Sequence, residues 1–585
     1  MGEEMTTKAL NVQERLELIL RRLYPTDAAE LAADLMSHPL PSQQTLTDRQ
    51  PAEPTHHWDA ATAVLITYPD GVEDSDLVSL KALSCCLDSA LGQLFSVVHV
   101  LPFLQASGDG GFAISNHNQL EPRFGDWGDL ARLATGRRLM ADLVLNHVSA
   151  SHDWVKAFRQ GTEDGAPMVL EPLSQQGWQA VVRPRSTPLF TPFTTTSGER
   201  LLWTTFGPDQ VDLNWRNPAV LRAFVAQMDR LLSLGVTWFR LDAVGFVWKT
   251  PQTTCIHLPQ VHDLIRALRL LLRQRSQEGT LVSETNVPQP ENLSYILGGD
   301  EAHLAYNFPL PPLLLEAMVS GRADLLRQWL ETWPALPPSC TLLNFAASHD
   351  GVGLRPLEGL MSASRRQALV ASCNQRGGCI STRQVEGVDR PYEINIAWWS
   401  AMGAPEGRED PQQLPRHLCS LLLLLALPGV PAFYLPALLA AGNDRDRFGR
   451  TGQARDLHRP RFSLRWVQEQ LARSDSGPAQ IVSTLQRGLA LRQRLPGLDP
   501  AAAMVCPDPD NPALLLVQRG QGPETIWALH NLAATPQPLP TTILKSMKQT
   551  GDGGLWWDWM RDCSLPMDPA FLIDPYQVLW LQRLP

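Results

Sequence analysis

Gly235–Trp248 reads GVTWFRLDAVGFVW, and the fold is decided by how this stretch is interpreted. A β-branched and aromatic run follows a helical segment and places Arg240 and Asp242 two residues apart. In a strand, side chains at i and i+2 share a face, so both point toward the open end of a sheet. A carboxylate beside a permanent cation stays ionised at neutral pH, as a carboxylate nucleophile must. A lone R-x-D is more often a structural pair closing a strand. Its company changes that reading, because Asp142–His147, Glu284 and His349–Asp350 also stand at the ends of strand-like runs.

Working outward, eight apolar runs alternate with amphipathic helical stretches such as Val261–Gln274. They are ATAVLITY (61–68), FSVVHVLPF (95–103), LMADLVLN (139–146), VTWFRLDAV (236–244), TLVSETNV (280–287), HLAYNF (303–308), TLLNFAAS (341–348) and GVPAFYL (429–435). Eight strands alternating with helices favour a closed parallel sheet over an open one. The expected class is α/β, a (β/α)8 TIM barrel built from residues 60–149 and 215–497. The long stretch between the third and fourth runs, rich in Pro, Thr and Trp, predicts an inserted small domain over residues 150–214. After Gly497 short strands (LLLVQRG, TIWALHNLA, VLWLQRL) predict a C-terminal β-domain over 498–585. Residues 1–59 read as an N-terminal helical extension, with Pro39–Pro54 as a connector.

A formal net charge of −10 argues against nucleic acid or acidic membranes as partners. The nine cysteines are irregularly spaced without a C-x-x-C pair, which fits free, buried thiols in a reducing compartment. No basic stretch followed by an apolar one marks MGEEMTTKAL as a secretion signal, and a cytoplasmic location is expected. From Leu418 to Asn443 no charge appears, yet Pro428, Pro431 and Pro436 interrupt the run. It reads as a buried helix entering a buried strand rather than a membrane span.

Residues just past the C-terminal ends of strands line the mouth of such a barrel. Three carboxylates gathered there repel one another in a dry pocket, so each needs a task or a cation. Exchange of a glycosidic bond uses such a set: one carboxylate attacks the anomeric carbon and one carboxylic acid protonates the leaving oxygen. Asp242 suits the attack, and Glu284, near two other acids, suits the proton donor. Asp142 reads as structural. His152 and Asp153 complete no tetrahedral ligand set, so neither a metal nor an organic cofactor is expected.

DLVLNH (142–147), FRLDAV (239–244), SETN (283–286) and SHD (348–350) resemble, in order, the four short signatures of the α-amylase family. DGGF (109–112), RPRS (183–186), WTTFGPDQVDLN (203–214), TTCIHLPQ (253–260), GVPAFY and ARDLHR (454–459) resemble its sucrose phosphorylase-like branch. The resemblance runs from about Thr67 to Pro500. It implies a retaining double displacement on an α-glucoside, with Asp242 as nucleophile, Glu284 as acid/base and Asp350 as transition-state stabiliser. Arg240 would orient Asp242. His147, His349 and Phe112 would line the sugar site, and Asp109 with Arg455 would hold the far side of the ring.

The acceptor decides the function. Phosphate approaching an acid-lined site needs arginines at its rim, and Arg183 and Arg185 are the candidates. DRPYEIN (389–395) resembles the loop that alternates between acceptor sugar and phosphate in this branch, which would set Tyr392 and Glu393 at the acceptor site. Glu393 is an anion where the sucrose-specific pattern carries an amide, and ETNVP departs from the usual residues after the acid/base. These departures resemble the longer members acting on glucosylglycerate, glucosylglycerol or sucrose 6′-phosphate, with glucosylglycerate favoured. An acidic aglycone needs a cation, for which Arg390 and Arg376 are candidates. The expected partners are thus a small α-glucoside and inorganic phosphate, in a monomer or homodimer. Rival readings are an amylosucrase-like or hydrolytic enzyme, and an inactive barrel serving as a scaffold.

Overall fold

The computed structural model describes residues 10–37, 57–89, 91–92, 94–162, 168–172, 174, 176–385, 388–540, 543, 555–565 and 571–584. The Pro39–Pro54 connector lies outside them. Eight strands close into a barrel: β1 (Val64–Thr67), β2 (Val97–Val100), β3 (Arg138–Val144), β4 (Val236–Asp242), β5 (Thr280–Ser283), β6 (Leu304–Tyr306), β7 (Thr341–Phe345) and β8 (Val430–Tyr434). Each pairs in parallel with its neighbours in chain order, and β8 returns to β1. All eight apolar runs therefore become barrel strands. They are legible because a parallel strand is covered on both faces and reads as a continuous apolar run.

The helices follow the same logic. Pro259–Arg275 opens with proline at its first position and buries Leu264, Leu268, Leu271 and Leu272 against the sheet. Gln413–Ala426 is buried from Cys419 onward and leads through a short turn into β8, which accounts for the uncharged run. Among the described residues no helix is long and apolar enough to cross a membrane.

The segment between β3 and β4 rises over the barrel mouth. Its strand Gln210–Asp212 pairs antiparallel with His147–Ser149, which directly extends β3, and a hairpin is formed by Phe190–Thr195 and Gly198–Trp203. After β7 a second excursion builds a three-stranded sheet from Val352–Gly353, Cys379–Val385 and Val388–Asn395. DRPYEIN, expected as a loop, is thus a strand. Asp389–Pro391 are exposed while Tyr392–Asn395 are buried, and its ladder is made by the preceding strand on one edge and by Val352–Gly353 on the other.

The C-terminal residues form a six-stranded antiparallel sheet that includes Leu514–Arg519, Ile526–Asn531 and Val578–Leu584. At the other end, helices Val12–Leu23 and Ala28–Ser37 dock on the barrel's outer helices, burying Leu16, Leu20, Leu31 and Leu35. Arg22 forks onto Asp263 at 2.6 and 2.8 Å, and the Tyr24 hydroxyl donates to the Trp215 carbonyl.

Candidate active site

One guanidinium organises the barrel mouth. Arg240 lies directly across the β3–β4 ladder from Asp142, which aims both side chains the same way. Its Nη1 donates to Asp142 at 2.5 Å and to Asp242 at 2.7 Å, while Nη2 stands 3.7 Å from Glu284 and 3.8 Å from Asp350. Acids from β3, β4, β5 and the turn after β7 therefore meet around one buried cation. Asp142 also contacts His99 of β2 at 2.9 Å, so it completes the floor beneath the reacting groups.

Ala243, immediately after Asp242, takes a left-handed conformation (φ 49°) that few non-glycine residues adopt. The turn points its amide at Glu284, which accepts at 2.9 Å. Asp242 and Glu284 are thereby tied to adjacent backbone and to adjacent nitrogens of one guanidinium. That proximity suits direct attack on a bound anomeric carbon, without an intervening water.

The electrostatics separate the acids. Burial pushes Asp142 up, but His99 and Arg240 more than offset it and hold it at about 2. Asp350 is also buried, yet Arg455, His349 and Arg240 keep it well below the usual carboxylate range. Burial raises both Asp242 and Glu284, with Arg240 opposing the rise in each. The sequence reading has Arg240 simply hold Asp242 charged; in the folded site desolvation works against it. Arg240 donates to Asp242 at 2.7 Å and the Ala243 amide donates to Glu284 at 2.9 Å, so each carboxyl has a donor that favours its charged form against the pull of burial, and the two titrate as a pair. Burial keeps His147 and His349 neutral.

Around these acids the cavity wall includes Asp109, Phe112, His147, His349 and Arg455. Phe112 stacks on the His349 ring at 5.1 Å and lies 5.6 Å under Arg240. Arg455 bridges Asp350 at 2.6 Å and Glu393 at 3.0 Å. Gln210 joins Asp109 and His147, each at 3.0 Å. Sequence reasoning quoted Gln210 only within a motif and gave it no role. Lys249, likewise passed over, reaches Asp212 at 2.5 Å and Asn146 at 2.8 Å, bracing the segment behind His147.

The same cavity is also lined by Arg185, Tyr392, Asn286 and Arg355. Arg185 sits 5.7 Å over the Tyr392 ring. Glu393 does not line the cavity: it is 2% exposed and accepts from Arg455 and the Gly351 amide, with Arg185 at 3.9 Å. Its negative charge is thus neutralised behind the wall. Arg183 also stays out, donating to the Thr187 carbonyl. Arg376 is tied to the Gly403 carbonyl and to Ser372, and Arg390 is exposed on the far side of its strand. Arg355 had no distinguishing sequence signal beyond its place five residues past Asp350.

A closed (β/α)8 barrel with a carboxylate-lined C-terminal mouth, a covering segment after β3 and a terminal β-sheet defines a class of carbohydrate-processing barrels. The Alpha-amylase family model (alpha amylase, catalytic domain) matches residues 91–351. The chain is similar to the glucosylglycerate phosphorylase of Allomeiothermus silvanus, at 34% identity over 88% of this chain and 92% of that protein. It is similar also to the glucosylglycerate phosphorylase of Escherichia coli K12, at 37% identity over 75% of this chain and 78% of that one. The crystal structure of sucrose 6F-phosphate phosphorylase from Thermoanaerobacter thermosaccharolyticum shares the fold, with a TM-score of 0.70 at 23% identity over 81% and 94% of the two chains. This chain belongs to the α-amylase family, in its sucrose phosphorylase-like branch.

Proposed function

We propose that the chain is a glucosylglycerate phosphorylase, moving a glucosyl unit from an α-glucoside of glycerate to inorganic phosphate with retention. The observation that carries this is a pair of arginines, Arg185 and Arg355, on the acceptor wall of an otherwise acid-lined cavity, in a chain 34–37% identical to two glucosylglycerate phosphorylases. Both candidate acceptors are anions, and neither can approach these carboxylates without cations at the wall.

In the first step an Asp242 oxygen bonds to the anomeric carbon, the glycosidic bond breaks, and Glu284 gives its proton to the departing glycerate oxygen. Arg240 takes up the charge redistributed from Asp242, and Asp350, held anionic by Arg455, stabilises the positive charge on the ring. In the second step a phosphate oxygen attacks the same carbon, Asp242 leaves as carboxylate, and the phosphate proton returns to Glu284. Asp109, His147 and His349 hold ring hydroxyls, and Arg185 draws phosphate in. The domain boundaries belong to the same reading: a helical extension, a barrel, an insertion over residues 150–214 and a C-terminal β-domain. So does a cytoplasmic location, supported by nine cysteines that are all free.

The test is glucose 1-phosphate release from glucosylglycerate, sucrose and glucosylglycerol, with and without phosphate. Phosphate-dependent glucose 1-phosphate from glucosylglycerate, well ahead of the other two, is expected. Free glucose formed at a rate indifferent to phosphate would sink the proposal, as would a preference for sucrose.

A further inference from the structure

Arg355 is the cation at the acceptor wall whose charge is least committed. It opens the short turn Arg355–Leu357 after β7, with its side chain only 11% exposed, and faces the cavity shared by Asp242, Glu284 and Asp350. Its ion pair is long: 3.4 Å to Glu291, a 41% exposed carboxylate that also takes His257 at 3.1 Å. Arg185, by comparison, leans on Tyr392 and on the buried Glu393, and Arg455 is locked between Asp350 and Glu393.

What lies behind Arg355 strengthens its positive field. It forms part of the wall of a neighbouring cavity of about 440 Å3, larger than the catalytic one, together with Arg366, Arg383 and Arg390. Among the described residues that line it, the one carboxylate, Glu358, is paired with Arg383. So Arg355 has cations at its back and the reacting acids in front, in a chain whose net charge is −10. Beside it, Asn286 is packed so tightly on Gly353 that a Cβ there would meet the amide at 2.5 Å. That packing fixes Asn286, and its buried Oδ1 has no hydrogen-bond partner among the described residues. A fixed acceptor next to a lightly committed guanidinium matches a carboxylate with a hydroxyl on the adjoining carbon.

We infer that Arg355 binds the carboxylate of the departing or incoming aglycone and that Asn286 accepts its neighbouring hydroxyl. Together they select a small 2-hydroxy acid over neutral polyols of the same size. This rests on the glucosylglycerate reading and assigns the two cations separate tasks: Arg355 serves the hydroxy acid, and Arg185 on the inserted segment serves phosphate. The planar carboxylate fits the two-pronged guanidinium, so lysine is not an equivalent replacement.

The experiment runs the reaction in reverse, with glucose 1-phosphate as donor and either glycerate or its neutral methyl ester as acceptor. In Arg355→Leu the ratio of kcat/KM for glycerate over methyl glycerate falls roughly 10- to 100-fold, chiefly through the acceptor KM. Arg355→Lys recovers part of that ratio, and Asn286→Ala lowers kcat/KM for both acceptors. In the forward direction the phosphate KM of Arg355→Leu shifts much less than its glycerate KM. Should Arg355→Leu fail to fold, Arg355→Gln and Arg355→Lys carry the same comparison. An unchanged ratio in a folded Arg355 variant overturns the assignment, and so does a phosphate KM that rises by the same factor. A wild-type enzyme that uses glycerate but ignores Arg355 condemns only this inference; one that refuses glycerate condemns the glucosylglycerate reading with it.

Discussion

At the scale of single residues, the site works by giving neighbouring acids different protons. In the proposed mechanism Glu284 is protonated for the first step, and burial raises its carboxyl. Activity on a glucoside is therefore present below the raised Glu284 pKa and lost as pH rises through it; on the acid side it fails when Asp242 gains a proton. Glu284→Gln should cut turnover of the natural glucoside by about 10²- to 10⁴-fold. The same variant should erase the alkaline limb of the kcat/KM profile and spare α-glucosyl fluoride, whose leaving group needs no proton. A limb that survives in Glu284→Gln would move the titrating acid elsewhere. Arg240 is a different case, since it is 1% exposed and neutralises Asp142 and Asp242 directly. Arg240→Leu leaves those carboxylates buried without their cation, at a cost of about 3–5 kcal/mol, read as a lower midpoint in denaturant melts together with lost activity.

At the scale of elements, strand β4 and the turn after it do the positioning. The strand delivers Arg240 and Asp242 on one face, and the left-handed Ala243 swings an amide onto Glu284. Glycine tolerates that conformation and a β-branched residue does not. Ala243→Gly should therefore keep or raise the melting temperature, whereas Ala243→Val should lose about 1–3 kcal/mol. Equal melting temperatures would show that the turn carries no strain. The apolar pattern that reveals β4 says nothing about this turn, whose amide bonds a carboxylate 41 residues further along the chain. DRPYEIN shows the same limit: it is a strand because it pairs with Cys379–Val385 on one edge and with Val352–Gly353, earlier in the chain, on the other. Arg183 and Arg185 are two residues apart, yet one turns to its own loop carbonyl and the other to the cavity.

For the whole molecule, the barrel is supported from outside by its terminal elements. Leu20 of the first helix is fully buried and is absent from the residues lining the acid-lined cavity. Leu20→Ala should cost about 2–5 kcal/mol of stability through the cavity it leaves, while KM for donor and phosphate stays unchanged. A shift in KM would mean that the extension communicates with the site. The eight strands, the insertion after β3 and the terminal sheet were legible in the sequence because each rests on local periodicity: continuous apolar runs for covered strands, short alternating ones for the end sheet. The four acids and Arg240 were legible because they stand at the ends of those runs. Left to tertiary structure were Gln210 bridging Asp109 to His147, the retreat of Glu393 behind Arg455, the exclusion of Arg183 and the emergence of Arg355. The reason is physical. Which way a strand-end side chain points follows from the pleat, a property of the strand itself, whereas the partner a loop arginine or a buried glutamate finds depends on segments tens to hundreds of residues away, brought alongside only when the barrel closes.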